Sequence, residues 1–169
     1  MKVRLATTLF VLMAAGCALR GARHPPSAPT GAAVEEQEVV RTIERLFEGM
    51  RTRDTAALRG LLAPYLVFVS ARESSDHWSV GRYSVVDFLG DIAQSTSGAE
   101  DLHERMWSSD VHIDGAIATL WATYDFHVGS TLDHCGHDAF QLARGERGWY
   151  VTAIIYTVRP APCPTPPAQ

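Results

Sequence analysis

The sequence predicts an α+β domain in which three N-terminal helices pack on a curved antiparallel sheet. Three observations carry that prediction. Apolar residues recur at helical spacing up to about residue 92, and the period changes to two from about residue 101. Two-residue turn signals, Asp114-Gly115 and Gly129-Ser130, then divide the later apolar runs into hairpins.

The elements follow in order. In "EEQEVVRTIERLFEGMRTR", Val39, Ile43, Leu46, Phe47 and Met50 share one helical face, with glutamates expected in the first turn and arginines in the last. Asp54 is placed to cap a short second helix carrying Leu58, Leu61 and Leu62, which Pro64 ends. "YLVFVSA" reads as a strand. Ser84 and Asp87 form a capping-box pair ahead of Phe88, Leu89 and Ile92, and "STSG" breaks this third helix. Four strands are expected at about 101–113, 116–128, 132–144 and 149–158.

The ends of the chain differ in composition from its middle. Lys2 and Arg4 precede an apolar run from Leu5 to Ala15, the layout of an export signal, and the run is too short to span a bilayer. Ala14-Ala15-Gly16-Cys17 resembles the bacterial lipobox, so Cys17 is the expected lipid attachment site. The reading is a signal over 1–17, a Pro/Ala/Gly tether over 18–33, a domain over 34–158 and a Pro-rich tail over 159–169. It places the protein in the cell envelope, membrane-anchored and facing the periplasm or the cell surface. Without Lys2 and Arg4, 13 of the 15 basic residues remain against 19 acidic ones, a net charge of −6 that argues against a nucleic-acid partner.

With Cys17 committed to lipid, Cys135 and Cys163 form an even pair in an oxidising compartment and read as a disulfide. The last strand brings Cys135 opposite Thr157 or Val158, and a bend at Pro160 and Pro162 returns Cys163 to it.

"HCGHD" at 134–138 has the residue types of a metal site, but strand geometry separates them. His134 and Asp138 share a face about 13 Å apart, and Cys135 and His137 point to the other face about 7 Å apart. No metal and no cofactor is expected, although a bulge at Gly136 would change the spacing. Pairing through the two turns sets Ile113 opposite Ala116 and Val128 opposite Thr131. Glu104, Asp125 and His134 then form one cross-strand row, with Trp121 beside Asp138. The opposite face, under the helices, collects Trp107, Val111, Ile113, Leu120, Tyr124, Phe126, Cys135 and His137. A one-residue slip would exchange the two sets.

In this register Asp125 accepts from a ring nitrogen of His134 and holds the imidazole in one tautomer, as a general base requires. A structural pair on a polar outer face or a dimer interface has the same residues. Trp107, Tyr124, His137 and Trp149 are the candidate ligand wall, and each also reads as ordinary core packing. Trp78 in "SDHWSVGRY" is expected on the lip of a cavity. No serine nucleophile elbow, phosphate loop or dinucleotide fingerprint is present.

The order of elements, with "RDTAALRGLL", "WATYDF", "HCGHDAFQLAR", "GWYVTAIIYT" and a late cysteine, resembles the nuclear transport factor 2-like superfamily, in particular SnoaL-like bacterial lipoproteins. The resemblance covers about 34–163. It implies a cone-shaped fold with a cavity between sheet and helices, found in isomerases, cyclases, dehydratases and non-catalytic binding modules. No catalytic position of those enzymes maps onto this chain. Three functions stay open: an envelope domain binding a small apolar ligand or a protein partner without catalysis, an isomerase, cyclase or dehydratase moving protons with Asp125 and His134 or His137, and a structural homodimer.

Overall fold

A computed structural model describes residues 30–75, 77–94 and 101–167. The expected signal, Cys17 and most of the tether lie outside the described residues.

Helix α1 (Gly31–Arg51) opens at Thr30, whose side chain accepts from the Ala33 amide. It starts ahead of residue 34, so Glu35, Glu36 and Glu38 fall after the first turn, where the helix dipole gains little from them. Val39, Ile43, Leu46 and Phe47 are buried along its expected face. Asp54 accepts from the amides of Ala56 and Ala57 and caps α2 (Thr55–Leu61), which buries Leu58. Helix α3 (Val85–Gln94) carries the capping box in full: Ser84 N donates to Asp87 Oδ2 at 3.0 Å and Asp87 N donates to Ser84 Oγ at 3.2 Å.

The strands are β1 (Leu62–Ser74), β2 (His77–Ser84), β3 (Leu102–Asp114), β4 (Ile117–Val128), β5 (Thr131–Gly145) and β6 (Gly148–Val158). They form one six-stranded sheet in the order β2-β1-β6-β5-β4-β3. The β3-to-β6 meander is the one expected from sequence. Two features were not: β1 pairs in parallel with β6, and β2 exists. As an edge strand exposed at nearly every position, β2 lacks the alternation that would announce it. Trp78, expected on a cavity lip, lies on β2 with the Arg159 guanidinium over its ring at 5.3 Å.

The helices cover one face of the sheet, and the core lies between, with Leu120, Phe140, Leu142, Val151 and Ile154 contributed by the strands. Two extra residues decide which strand side chains join them. The loop of the β3–β4 hairpin is Gly115-Ala116, so Ile113 pairs with Ala118 rather than Ala116. Between Trp107 and Asp110 the ladder then shifts by one residue, with Ser108 at φ 53°. On β5 the pairing steps from His127↔Leu132 to Phe126↔His134, which leaves Asp133 as an extra residue. Each bulge reverses the faces beyond it. Glu104, His134 and Asp138 therefore turn inward under the helices, whereas Trp107, Cys135 and His137 turn outward.

Cys135 and Cys163 are disulfide-bonded with Cα atoms 5.9 Å apart, and Cys135 exchanges two backbone hydrogen bonds with Arg159. The bond fastens the tail across the end of β5. Gly136 is not a bulge but a close approach: a Cβ there would stand 2.1 Å from the Thr157 carbonyl oxygen. Because that position has no side chain, the Tyr124 ring passes over it and its hydroxyl donates to Thr157 O at 2.7 Å.

Candidate functional site

A cavity of about 230 Å³ opens between the inner face of the sheet and helices α1 and α3. Phe47 and Met50 of α1 and Phe88 and Ile92 of α3 form its roof, and Tyr124, Phe126, His134, Asp138 and Tyr156 form much of its floor. Asp91 stands exposed at its rim. Four larger surface depressions among the described residues, from about 420 to about 690 Å³, are lined by exposed charges such as Arg41, Asp54, Asp114 and Arg147 and contain no buried ionisable group.

The chemistry of the cavity lies in two carboxyls. Asp138 is 2 % exposed and stands opposite Ala122, whose single methyl leaves space above β4. Glu104, half-buried as a residue, brings its carboxyl into the same space, facing Asp138. Burial in this apolar setting pushes the Glu104 carboxyl up to about 7, the hydrogen bond from Asp138 partly offsets that rise, and the nearby Asp125 charge adds to it. Asp138 is raised well above the ordinary carboxylate range, first by burial and then by the facing Glu104. Two such facing acids resist ionising together, and Asp138, the more deeply buried, is the one that holds its proton more tightly. Asp138 Oδ2 is buried with no hydrogen-bond partner.

Around the pair the tyrosines form a second layer. The hydroxyls of Tyr83 and Tyr156 lie 2.8 Å apart, and Tyr83 stacks on Phe68 at 4.7 Å. Burial raises the hydroxyl pKa of Tyr83, Tyr124 and Tyr156, so all three are neutral donors across the physiological range. His134 packs against Tyr124 and Phe126 with ring centroids at 5.7 and 5.2 Å, and its Nδ1 meets Asp133 Oδ2 at 2.6 Å.

Asp125 and His134, expected in one row, lie on opposite faces of the sheet. Asp125 is buried on the outer side, where the Arg105 guanidinium grips both its oxygens and His127 Nδ1 approaches to 3.6 Å. Trp107, Thr123 and His137 form an outer row, with Thr123 Oγ1 and His137 Nε2 3.3 Å apart and the His137 ring 5.4 Å from Trp121. Trp149 is buried beneath the Arg144 guanidinium, 4.4 Å from its ring, away from the cavity. Of the expected ligand wall, Tyr124 is the member that lines the cavity. The sequence reading named Glu104 and Asp138 but set them on the outer face, and nothing in the letters marks the two bulges that turn them in. Among the described residues, no group of three or more His, Cys, Asp or Glu side chains is gathered as metal ligands.

No protein-family model matches the sequence, and no curated protein matches it. Solved structures do match the fold. A nuclear transport factor 2-like protein of unknown function from Shewanella baltica OS155 is 18% identical, with 79% of this chain and 100% of that one covered at a TM-score of 0.58. A superfamily protein from Salmonella enterica serovar Typhimurium LT2 is 12% identical over 78% of this chain and 96% of its own, TM-score 0.60. A protein from Streptomyces avermitilis with a provisional dehydratase assignment is 16% identical over 76% and 98%, TM-score 0.56. At such identities the likeness is one of fold. The helices, the curved mostly antiparallel sheet and the cavity between them define an α+β cone; this chain has the nuclear transport factor 2-like fold.

Proposed function

We propose that the protein binds a small, largely apolar molecule in the conical cavity and anchors its polar end on Glu104 and Asp138. The observation that carries this reading is Asp138 Oδ2, a buried oxygen without a hydrogen-bond partner at the wall of an aromatic cavity. At about 230 Å³ the cavity is smaller than the ~300–1,000 Å³ of drug-sized ligand sites, so the molecule is small. We place the domain in the cell envelope, held by lipid at Cys17; the lipobox-like Ala14-Ala15-Gly16-Cys17 and the disulfide support that setting. No helix among the described residues is long and apolar enough to cross a membrane. Native mass spectrometry of the protein extracted gently from its own membrane tests both parts. A retained small-molecule mass and an acylated N-terminus are expected; an empty, unacylated protein overturns the proposal.

One arrangement favours an enzyme of the isomerase or dehydratase kind as the second reading: Glu104 and Asp138 face each other in the cavity and burial raises both carboxyls, so that one can take a proton and the other return one. The proton-moving pair is then Glu104 and Asp138 instead of Asp125 and His134. Turnover lost in both Glu104→Gln and Asp138→Asn, with retained ligand affinity, distinguishes it from the binder. The outer row Trp121, Ala139 and Ile155, with Trp121 53 % and Ile155 47 % exposed, supports the homodimer reading, which sedimentation of Trp121→Glu tests.

A further inference from the structure

We infer that the cavity selects a small lipophilic ammonium, a protonated primary or secondary amine on an aromatic or branched aliphatic body; the inference rests on the cavity being a ligand site. Hydrogen-bond accounting leads there first. Most donors on the walls are already engaged: the Tyr124 hydroxyl donates to Thr157 O at 2.7 Å, and one of the Tyr83 and Tyr156 hydroxyls donates to the other at 2.8 Å, which leaves the proton of the accepting hydroxyl as the one wall donor still to be used. His134 Nδ1 donates to Asp133 Oδ2 at 2.6 Å. Acceptors are in excess. Asp138 Oδ2 is buried and unpartnered, and the Glu104 carboxyl has more lone pairs than the one Asp138 proton can satisfy. A ligand that fits must bring several donors.

The charges narrow the class. No Arg or Lys lines the cavity. The titratable groups around Glu104 are Asp138 and His134 from β5, Tyr124 from β4, Tyr156 from β6, Tyr83 from β2 and Asp91 from α3, with Asp125 behind on the outer face. Arg72 of β1 is exposed and bears on the tyrosines Tyr124 and Tyr156 from outside the cavity lining. A carboxylate or phosphate would enter a site of acids without a partner. An alcohol would bring one donor and leave an ionised Glu104 uncompensated. An ammonium brings up to three donors and the missing charge, and the ring faces of Phe47, Phe88 and Phe126 suit both its cation and its apolar body.

The assignment makes binding depend on pH in a stated direction. A cation favours ionised Glu104, so below about pH 7 each ligand bound must expel one proton. Affinity then rises about thirtyfold from pH 5.5 to pH 8 and levels off above it.

Isothermal titration of the full chain with phenethylamine, 2-phenylethanol and 3-phenylpropionate, at pH 5.5 and 8.0 in two buffers of different ionisation enthalpy, tests this. Expected are binding of the amine with the thirtyfold pH effect and proton release at pH 5.5, weaker pH-independent binding of the alcohol, and none of the carboxylate. Glu104→Gln, checked for native secondary structure by circular dichroism, should bind the amine at least tenfold more weakly at pH 8 and lose the pH effect. An alcohol that binds as tightly as the amine, or amine binding that is flat with pH, overturns the ammonium assignment and leaves the cavity a ligand site. If none of the three binds, the ammonium assignment and the binding reading both fall.

Discussion

Replacing Glu104 by Gln should stabilise the protein, and more so as the pH rises. The side chain keeps its shape and its capacity to meet Asp138, but it can no longer place a charge in the cavity. Its folded-state carboxyl titrates at about 7 against an ordinary value of 4.5, so between those limits the folded state binds more protons than the unfolded one. Stability contributed by this group is therefore full below about pH 4.5 and is lost as the pH rises through 7. Integrated from pH 5 to pH 8.5, the loss is about 2.5 kcal/mol, equivalent to roughly 8 °C in melting temperature for a domain of this size. Urea denaturation of wild type and variant at the two pH values, with the disulfide intact, reads the difference. The variant should gain about 2.5 kcal/mol on wild type across that interval. Parallel stability profiles for the two proteins would mean that the Glu104 carboxyl is solvated, and the coupled acid pair would have to be abandoned.

Three further perturbations separate structural from functional groups. Gly136→Ala forces a methyl to 2.1 Å from the Thr157 carbonyl and displaces Tyr124, so a loss of more than about 3 kcal/mol in urea denaturation is expected; a loss under 1 kcal/mol would contradict the close approach. Cys163→Ser opens a link between residues 28 apart, and loop-closure entropy puts the loss at about 3 to 4 kcal/mol, to be compared with wild type under reduction. Arg105→Ala strips the buried Asp125 carboxylate of its chief partner and should lower stability by roughly 1 to 3 kcal/mol at pH 7, while amine affinity measured by titration stays unchanged. Lost affinity in a folded Arg105→Ala protein would instead place the site on the outer face of the sheet.

Much of the fold was legible because it is written locally. The stripe of Val39, Ile43, Leu46 and Phe47, the caps at Asp54 and Ser84, and the change of period after the third helix each lie within a few turns of chain, and the structure has all of them. The Cys135–Cys163 bond was legible too, since an even pair and the run of the last strand bring the two together. The β2 strand escaped because an edge strand exposed on both sides has no alternation to read.

The amino-acid sequence by itself determined the class, the order of every element but β2, the capping and the inventory of side chains able to carry chemistry. Tertiary structure decided which of them meet. A period of two gives every strand residue a face only relative to its neighbours, so one extra residue at Ser108 and another at Asp133 reverse that choice for the rest of the strand. Those two bulges place Glu104 and Asp138 together in the cavity and leave Asp125 outside with Arg105. The preference for a bulge comes from packing across three strands and two helices, and no local stretch of sequence contains it.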